Sequence, residues 1–202
     1  EMQIKRQPVD ECVQYISDLL DESYADLPTS IRVKGEYGRI DKAINRALKA
    51  KLLLMAASPL FNGNPDYANF KDEEGNPYFN PVEDATKWEK AAEAAKQAID
   101  DATNASHDLF YFDQSMSGFK LSETSLIQMS IRHAVCERWN KEIVWGLSDS
   151  RATTMQNYCM PRLTNEMTLT LCYAALAPTL KIAQQFYTKN GVPIEEDKLS
   201  LI

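Results

Sequence analysis

The sequence predicts a mainly α-helical fold in which paired helices carry long loops and a few short strands. Apolar residues recur at helical spacing in three long stretches, 8–27, 38–62 and 85–102, and prolines or glycines interrupt the chain between them. A single domain over residues 1–202 is therefore expected. Its expected parts are a helical hairpin over 8–60, a loop insertion over 61–84, a helix over 85–103, a loop and short-strand region over 104–176, and a terminal helix and turn over 177–202.

The stretch 38–62 is the longest helical pattern in the chain. Asp41 can cap its start by accepting backbone N–H groups of the first turn. Pro59 disfavours helical geometry at Ser58, so the helix is expected to end there. The polar side of the pattern disappears over 52–57, which predicts that other helices enclose the second half.

The first stretch, 8–27, begins at Pro8, a residue that suits the first turn of a helix. Cys12 lies on its apolar stripe, and Cys172 lies on another apolar face, so both are expected to be buried free thiols. The linker over 28–38 is short, and the first two helices are therefore expected to form an antiparallel hairpin.

The third stretch predicts a helix over 85–102 with Lys and Glu on its outer side. An aromatic residue near the start and alanines at close-contact positions are also found in tetratricopeptide repeats, which are helix pairs of about 34 residues. The sequence keeps no strict period, so any repeats are expected to be degenerate. The predicted inward face consists of Trp88, Ala91, Ala92, Ala95, Ala98 and Ile99.

The second half of the chain gives shorter patterns. Ser122 can cap a helix over 123–139, and the β-forming run EIVWGL at 142–147 predicts a strand. Residues 148–165 lack periodicity and predict a loop. A short helix is expected over 177–187, followed by a turn at the Asn-Gly pair of KNGVPI.

Composition and charge exclude several classes of function. A net charge of −7 disfavours a nucleic-acid backbone as the main partner, and no run reaches the roughly 20 apolar residues of a membrane span. No signal or transit peptide opens the chain, and a first residue of Glu1 predicts a processed or truncated product. The four cysteines show neither close pairing nor zinc-like spacing, and no glycine-rich phosphate loop is present. We therefore expect no metal and no cofactor.

Catalytic constellations are also weak. Glycosidic hydrolysis needs two carboxyl groups that face each other across a sugar, whereas adjacent residues on a helix or turn point in different directions. His133 and Cys136 share a helical spacing, but two ligands do not make a structural zinc site, and no third group orients a Cys–His nucleophile. The adjacent carboxylates, which predict a solvated surface, are Glu73 and Glu74, Asp100 and Asp101, and Glu195 and Glu196.

Aromatic residues in irregular segments are the remaining candidates. Four of them lie in the insertion over 61–84, among Asn, Asp, Gly and Pro residues. One interpretation is that they pack a core. The other is a binding platform, because sugar rings stack their C–H faces on aromatic rings while Asn, Asp and Arg bind the hydroxyl groups. The whole set is Tyr67, Phe70, Tyr78, Phe79, Tyr111, Phe119, Trp139, Trp145 and Tyr158.

Five segments resemble the SusD/RagB family of outer-membrane nutrient-binding lipoproteins of Bacteroidetes. The run ALKAKLLLMAASPLFN followed by WEKAAEAAKQAID carries the resemblance, and it is joined by PVDECVQYISDLLDESYADLP, NKEIVWGL and APTLKIAQQFYTKNGVPI. The segments occur in the family's order. The resemblance implies a scaffold of tetratricopeptide-like helix pairs with loops and short strands on one side.

The resemblance also implies a function. Family members sit on the outer face of the outer membrane through a lipidated N-terminal cysteine, and they bind without catalysis. They pass oligosaccharides, or in some members peptides, to a SusC-like TonB-dependent transporter. We expect this chain to be a fragment that lacks the lipid-anchor segment and the C-terminal portion. A tetratricopeptide-type adaptor with a protein or peptide ligand is the alternative, and a glycosidase is a third possibility.

The family's glycan site is an arc of aromatic residues on loops outside the repeats. By order along the chain, part of such an arc is expected around the predicted strand. The resemblance therefore favours the following ligand-binding residues: Trp139, Arg151, Asn157, Tyr158 and Arg162.

Overall fold

A computed structural model describes residues 5–147, 152–161 and 173–198, and the chain divides into two compact units, Glu1–Ser148 and Asp149–Ile202. The prediction of a mainly helical fold is confirmed. In the first unit α1 spans Val9–Tyr24, α2 Lys42–Ala57, α3 Thr86–Asn104 and α4 Glu123–Cys136; in the second, α5 spans Ala152–Cys159 and α6 Leu180–Ala183. Across these described ranges, no helix is long and apolar enough to cross a membrane.

The ends of α2 follow the local chemistry of the sequence. The Asp41 carboxylate accepts the backbone N–H of Ile44 at 3.0 Å, which confirms the predicted cap. Ser58 is extended, with φ −64° and ψ 152°, because Pro59 excludes the helical conformation before it. Both ends of the helix are therefore set by single residues.

Neighbouring helices among the first three run antiparallel. The side-chain amide of Asn45, in the first turn of α2, donates to the carbonyl of Leu20 in the last turn of α1 at 3.0 Å. At the other end of α2, the Asn62 amide donates to the carbonyl of Asp84 at 3.0 Å, and the Asp84 N–H donates back to Asn62 at 2.8 Å. Asp84 lies two residues before the start of α3, so α2 runs antiparallel to α1 and to α3 and contacts both.

The core between α2 and α3 is built from small side chains. Ala91 and Ala94 of α3 are 4% and 5% exposed, whereas Trp88 is 42% and Ile99 is 61% exposed. The predicted inward face of α3 is therefore wrong for Trp88 and Ile99, as it is for Ala92 and Ala95, which are exposed. An alanine stripe lets the two backbones approach closely, whereas an indole on that face would hold them apart.

Two further expectations about burial are wrong. Leu54 and Met55 are 54% and 50% exposed, because α3 covers the side of α2 that carries Ala56 and Ala57. Cys12 is also exposed. The face of α1 that turns inward carries the buried Ser17, and Cys12 lies on a different face of that helix.

A polar network joins the ends of α1 and α3 to the start of α2. The Tyr24 hydroxyl donates to the Asp101 carboxylate at 2.8 Å, and the Arg46 guanidinium lies 3.9 Å from the Tyr24 ring centroid. The bond to Asp101 raises the pKa of Tyr24. A hydrogen bond from Lys49, followed by one from Arg46, holds the pKa of Asp21 below its usual value although partial burial opposes this.

The insertion over 61–84 is irregular, as predicted, and its aromatic residues pack on one another. The rings of Tyr67 and Phe79 stack at 4.3 Å, those of Phe70 and Tyr78 lie at 5.0 Å, and Arg6 lies 5.0 Å from the Phe70 ring. These rings form the loop's own small core rather than an open platform.

The later elements differ from the predicted ones. Ser122 caps α4 as predicted, but the helix ends at Cys136 rather than at 139. Residues 142–147 form turns and irregular chain, not a strand, because the described residues offer them no neighbouring strand to pair with. Helix α5 lies inside the predicted loop 148–165. Helix α6 is a single turn capped by Thr179, shorter than predicted.

Candidate functional site

A cavity of about 390 Å³ lies beside the first turn of α2 in the first unit. Three segments that are far apart in the sequence line it: 30–44, 105–107 and 139–145. Its volume falls within the range of small-molecule sites, roughly 300–1,000 Å³. The aromatic and charged members of the lining are Arg32, Tyr37, Arg39, Asp41, His107, Trp139, Lys141 and Trp145.

The end of α3 places His107 in this lining. Ser106 adopts a left-handed conformation with φ 72°, and the N–H of His107 donates to the carbonyl of Ala102 at 2.9 Å, which is typical of a helix terminated by a left-handed residue. The ring nitrogen Nδ1 of His107 lies 3.0 Å from the carbonyl of Lys141. A carbonyl only accepts, so Nδ1 carries the proton and Nε2 is left as the acceptor nitrogen of the neutral ring.

Asn140 fixes the turn that follows α4. Its side-chain amide lies 3.2, 3.0 and 2.9 Å from the carbonyls of His133, Ala134 and Glu137, and its Oδ1 accepts the N–H of Glu142 at 2.8 Å. The His133 carbonyl also accepts the backbone N–H of Glu137 at 2.8 Å, so the Asn140 amide adds a second donor to the last turn of α4. Both the amide nitrogen and the oxygen of the Asn140 side chain are therefore hydrogen-bonded to backbone groups. The residue stabilises the turn beside the cavity and leaves ligand contacts to other residues.

Trp139 forms the aromatic wall. Its backbone is left-handed, with φ 57°, and its ring lies 5.3 Å from that of Tyr37 at an interplanar angle of 58°. A Cβ atom at Gly146 would lie 3.2 Å from the Trp139 ring, a tight contact that the indole could relieve only by shifting a few tenths of an ångström. The nearby Trp145 is held by its Nε1–H, which donates to the carbonyl of Gly38 at 3.0 Å.

The charge of the lining is predominantly positive. Asp41 is 5% exposed and its carboxylate is engaged in capping α2. Arg39 pairs with Glu36 at 2.7 Å. Arg32 donates from Nε to the Ser30 hydroxyl at 3.2 Å. In the ranges that the structure describes, neither Arg32 nor Lys141 has a carboxylate within ion-pairing distance.

This arrangement suits a polar ligand with an apolar face. The Trp139 and Tyr37 rings provide a surface for C–H groups, while Arg32, Lys141 and Nε2 of His107 provide hydrogen-bonding groups. Few polar groups on an apolar wall are the usual composition of a binding pocket.

The sequence-predicted site residues lie in different parts of the chain. Trp139 lines the cavity. Asn157 and Tyr158 are neighbours on α5 in the second unit, where the Tyr158 ring lies 5.1 Å from that of Tyr173. Arg151 and Arg162 lie outside the described residues. The grouping of all five remains a prediction.

Several lining residues were missed by sequence reasoning. Trp145 belongs to the predicted set of aromatic residues in irregular segments, but Tyr37, His107 and Lys141 were not singled out. One sequence signal pointed to Tyr37, which lies between two glycines in the linker KGEYGR. An aromatic residue in such a linker needs a packing partner elsewhere in the chain.

A second concavity, of about 280 Å³, lies between the N-terminal segment and the insertion. Its lining includes Arg6, Asp72 and Tyr78. Hydrogen bonds from the side chain and backbone of Asn76 lower the pKa of Asp72, so this carboxylate is occupied in holding its own turn. Arg6 is likewise engaged with Phe70 and Tyr78. The cavity beside α2 is the better candidate.

Metal-ligating residues and cysteine thiols do not cluster into a site in the described ranges. No group of three or more His, Cys, Asp or Glu residues there could hold a metal ion. Cys12, Cys136 and Cys159 are exposed free thiols, and Cys172 lies outside the described residues.

No family model matches the chain, and no curated protein matches it. Solved structures do: BT4246, a Bacteroides thetaiotaomicron protein, is similar at 32% sequence identity and a TM-score of 0.77. A selenomethionine form of BT4246 is similar at 31% identity and a TM-score of 0.74. Each match covers 95% of this chain and 36% of the other, so the chain spans about a third of the length of these structures.

Proposed function

We propose that this chain is part of a SusD/RagB-type protein that binds an oligosaccharide at the outer-membrane surface and passes it to a SusC-like TonB-dependent transporter. The family resemblance of its segments supports this, as does its similarity to a Bacteroides protein. In this proposal the helices α1 to α3 serve as scaffold. In this proposal a lipid on an N-terminal cysteine attaches the whole protein to the outer membrane.

One observation carries the proposal: the braced aromatic wall of Trp139 and Tyr37 in a cavity of about 390 Å³. Asn140 holds the turn and Gly146 leaves space for the indole, so the ring is fixed before any ligand arrives. A preorganised aromatic wall lowers the ordering cost of binding. It also offers sugar rings a surface for stacking.

The acidic content of the lining favours binding over hydrolysis. Asp41 is the carboxylate in the lining, and it is buried and occupied as a helix cap. A glycosidase needs two carboxyl groups across the scissile bond. We therefore infer a non-catalytic role for this site.

Native affinity electrophoresis tests the proposal. The wild-type protein is run in gels that contain, in turn, starch, galactomannan, polygalacturonate or chondroitin sulfate. We expect at least one polysaccharide to retard it, and Trp139→Ala to abolish the retardation. Trp88→Ala is the matched control, because Trp88 is a half-exposed tryptophan on α3 outside the cavity. Reducing ends should not accumulate.

Three results would contradict the proposal. Equal retardation of wild type and Trp139→Ala would remove the cavity as the site. Release of reducing ends would identify a glycosidase. Absence of retardation together with binding of peptides would favour the tetratricopeptide-type adaptor. Its contact surface would be the exposed apolar stripe of α4, where Ile127 is 58%, Ile131 70% and Val135 85% exposed.

A further inference from the structure

The charges around the candidate cavity oppose the charge of the whole chain. The chain carries a formal net charge of −7. The described lining of the cavity, however, contains three cationic side chains, those of Arg32, Arg39 and Lys141, and one carboxylate, that of Asp41. A cationic concavity on an acidic protein concentrates the attraction for an anion at one place.

The available charge is carried by two residues. The Asp41 carboxylate caps α2 and forms no ion pair with these cations among the described residues, and Arg39 is paired with Glu36. Arg32 and Lys141 are exposed and have no carboxylate partner among the residues that the structure describes. A guanidinium and an ammonium group at one cavity can both donate charge-assisted hydrogen bonds to an anionic group.

We propose that the cavity selects acidic oligosaccharides, whose carboxylate or sulfate group is bound by Arg32 and Lys141 while a sugar ring packs on Trp139. This inference rests on the proposed glycan-binding function and adds the charge class of the ligand. Arg32 contributes directional donors that match a planar or tetrahedral oxyanion, and Lys141 contributes a mobile point charge. A neutral sugar would offer neither cation an opposite charge.

Calorimetric titration with matched ligands tests the inference. The first pair is trigalacturonate and its fully methyl-esterified form, which differ in charge and hardly in shape. The second pair is a sulfated and an unsulfated chondroitin tetrasaccharide, which separates sulfate from carboxylate as the anion recognised. We expect one charged ligand to bind at least about tenfold more tightly than its less charged partner, and the ratio to shrink as salt rises from 50 to 300 mM.

Variants assign the effect to residues. Arg32→Gln and Lys141→Gln should each weaken binding of the charged ligand about fivefold and leave the neutral or less charged ligand nearly unchanged. Lys51→Gln is the matched control, because Lys51 is an exposed lysine of α2 outside the lining. It should change neither affinity.

The outcomes separate this inference from the function on which it rests. Equal affinity for both members of each pair, with loss of all binding in Trp139→Ala, would overturn the anionic selectivity and retain the glycan site. No heat of binding with any ligand, together with no retardation in the polysaccharide gels, would overturn both. A charged ligand whose affinity is unchanged in the Arg32→Gln, Lys141→Gln double variant would also overturn the selectivity assigned to these residues.

Discussion

Asn140→Ala is the most informative perturbation of the site's framework. The side-chain amide of Asn140 lies at 2.9–3.2 Å from three carbonyls at the end of α4, and its oxygen accepts the N–H of Glu142 at 2.8 Å. Alanine removes all of these bonds at once. It also frees the turn that holds Trp139 in its left-handed conformation.

The size of the effect follows from the number of groups that lose a partner. A net contribution of about 1 kcal/mol per hydrogen bond applies to two donors and one acceptor, but water replaces part of it because Asn140 is only half-buried. We expect the free energy of unfolding to fall by about 2 kcal/mol. For a unit of this size that corresponds to a fall in Tm of roughly 5 °C.

Asn140→Asp separates the donor from the acceptor role. The carboxylate keeps an acceptor for Glu142 but turns oxygen atoms towards the helix carbonyls, so it should be no more stable than the alanine variant. Urea denaturation followed by tryptophan fluorescence measures both. Asn69→Ala, at an exposed asparagine of the insertion, is the control and should stay within about 0.5 kcal/mol of wild type. An alanine variant as stable as wild type, or an aspartate variant clearly above alanine, would refute the bracing role.

Two further predictions concern the scaffold. Gly63→Ala should lower the free energy of unfolding by at least about 2 kcal/mol, because its Cβ would lie 2.8 Å from the backbone of Glu83. Gly75 has a similarly positive φ but open space around it, so Gly75→Ala should lower the free energy of unfolding by about 1 kcal/mol. Thermal denaturation compares the two variants, and equal losses would contradict the clash at Gly63. Tyr24→Phe should cost about 1 kcal/mol at neutral pH. The bond to Asp101 raises the pKa of Tyr24, so this contribution is full below the unfolded pKa of about 10 and is lost as pH rises through the folded value; a stability gap that stays constant to pH 12 would contradict it.

The three scaffold helices could be predicted because their signals are local. Asp41 and Pro59 set the ends of α2 by interactions within one turn, and such signals are present in any sequence window. Which face turns inward is a tertiary property. In α3 the stripe of Trp88 and Ile99 has the same period as the stripe of Ala91 and Ala94, and only the approach of α2 decides between them.

The site could be predicted only in part, for two physical reasons. Its lining comes from segments 30–44, 105–107 and 139–145, which periodicity cannot bring together. The run at 142–147 is rich in β-forming residues, but β-propensity is expressed only where a partner strand is present, and here Asn140 turns the chain instead. Trp139 was favoured as a ligand contact by the order of the family's aromatic arc along the chain, and it lines the cavity.

The central claim is that the cavity beside α2 holds the ligand. A crystal structure of the protein soaked with the tightest-binding oligosaccharide of the titrations tests it most directly. The account predicts density for a sugar ring against Trp139 and Tyr37, with its acidic group within about 3 Å of Arg32 or Lys141. An ordered oligosaccharide bound elsewhere on the chain, with this cavity containing only solvent, would contradict it.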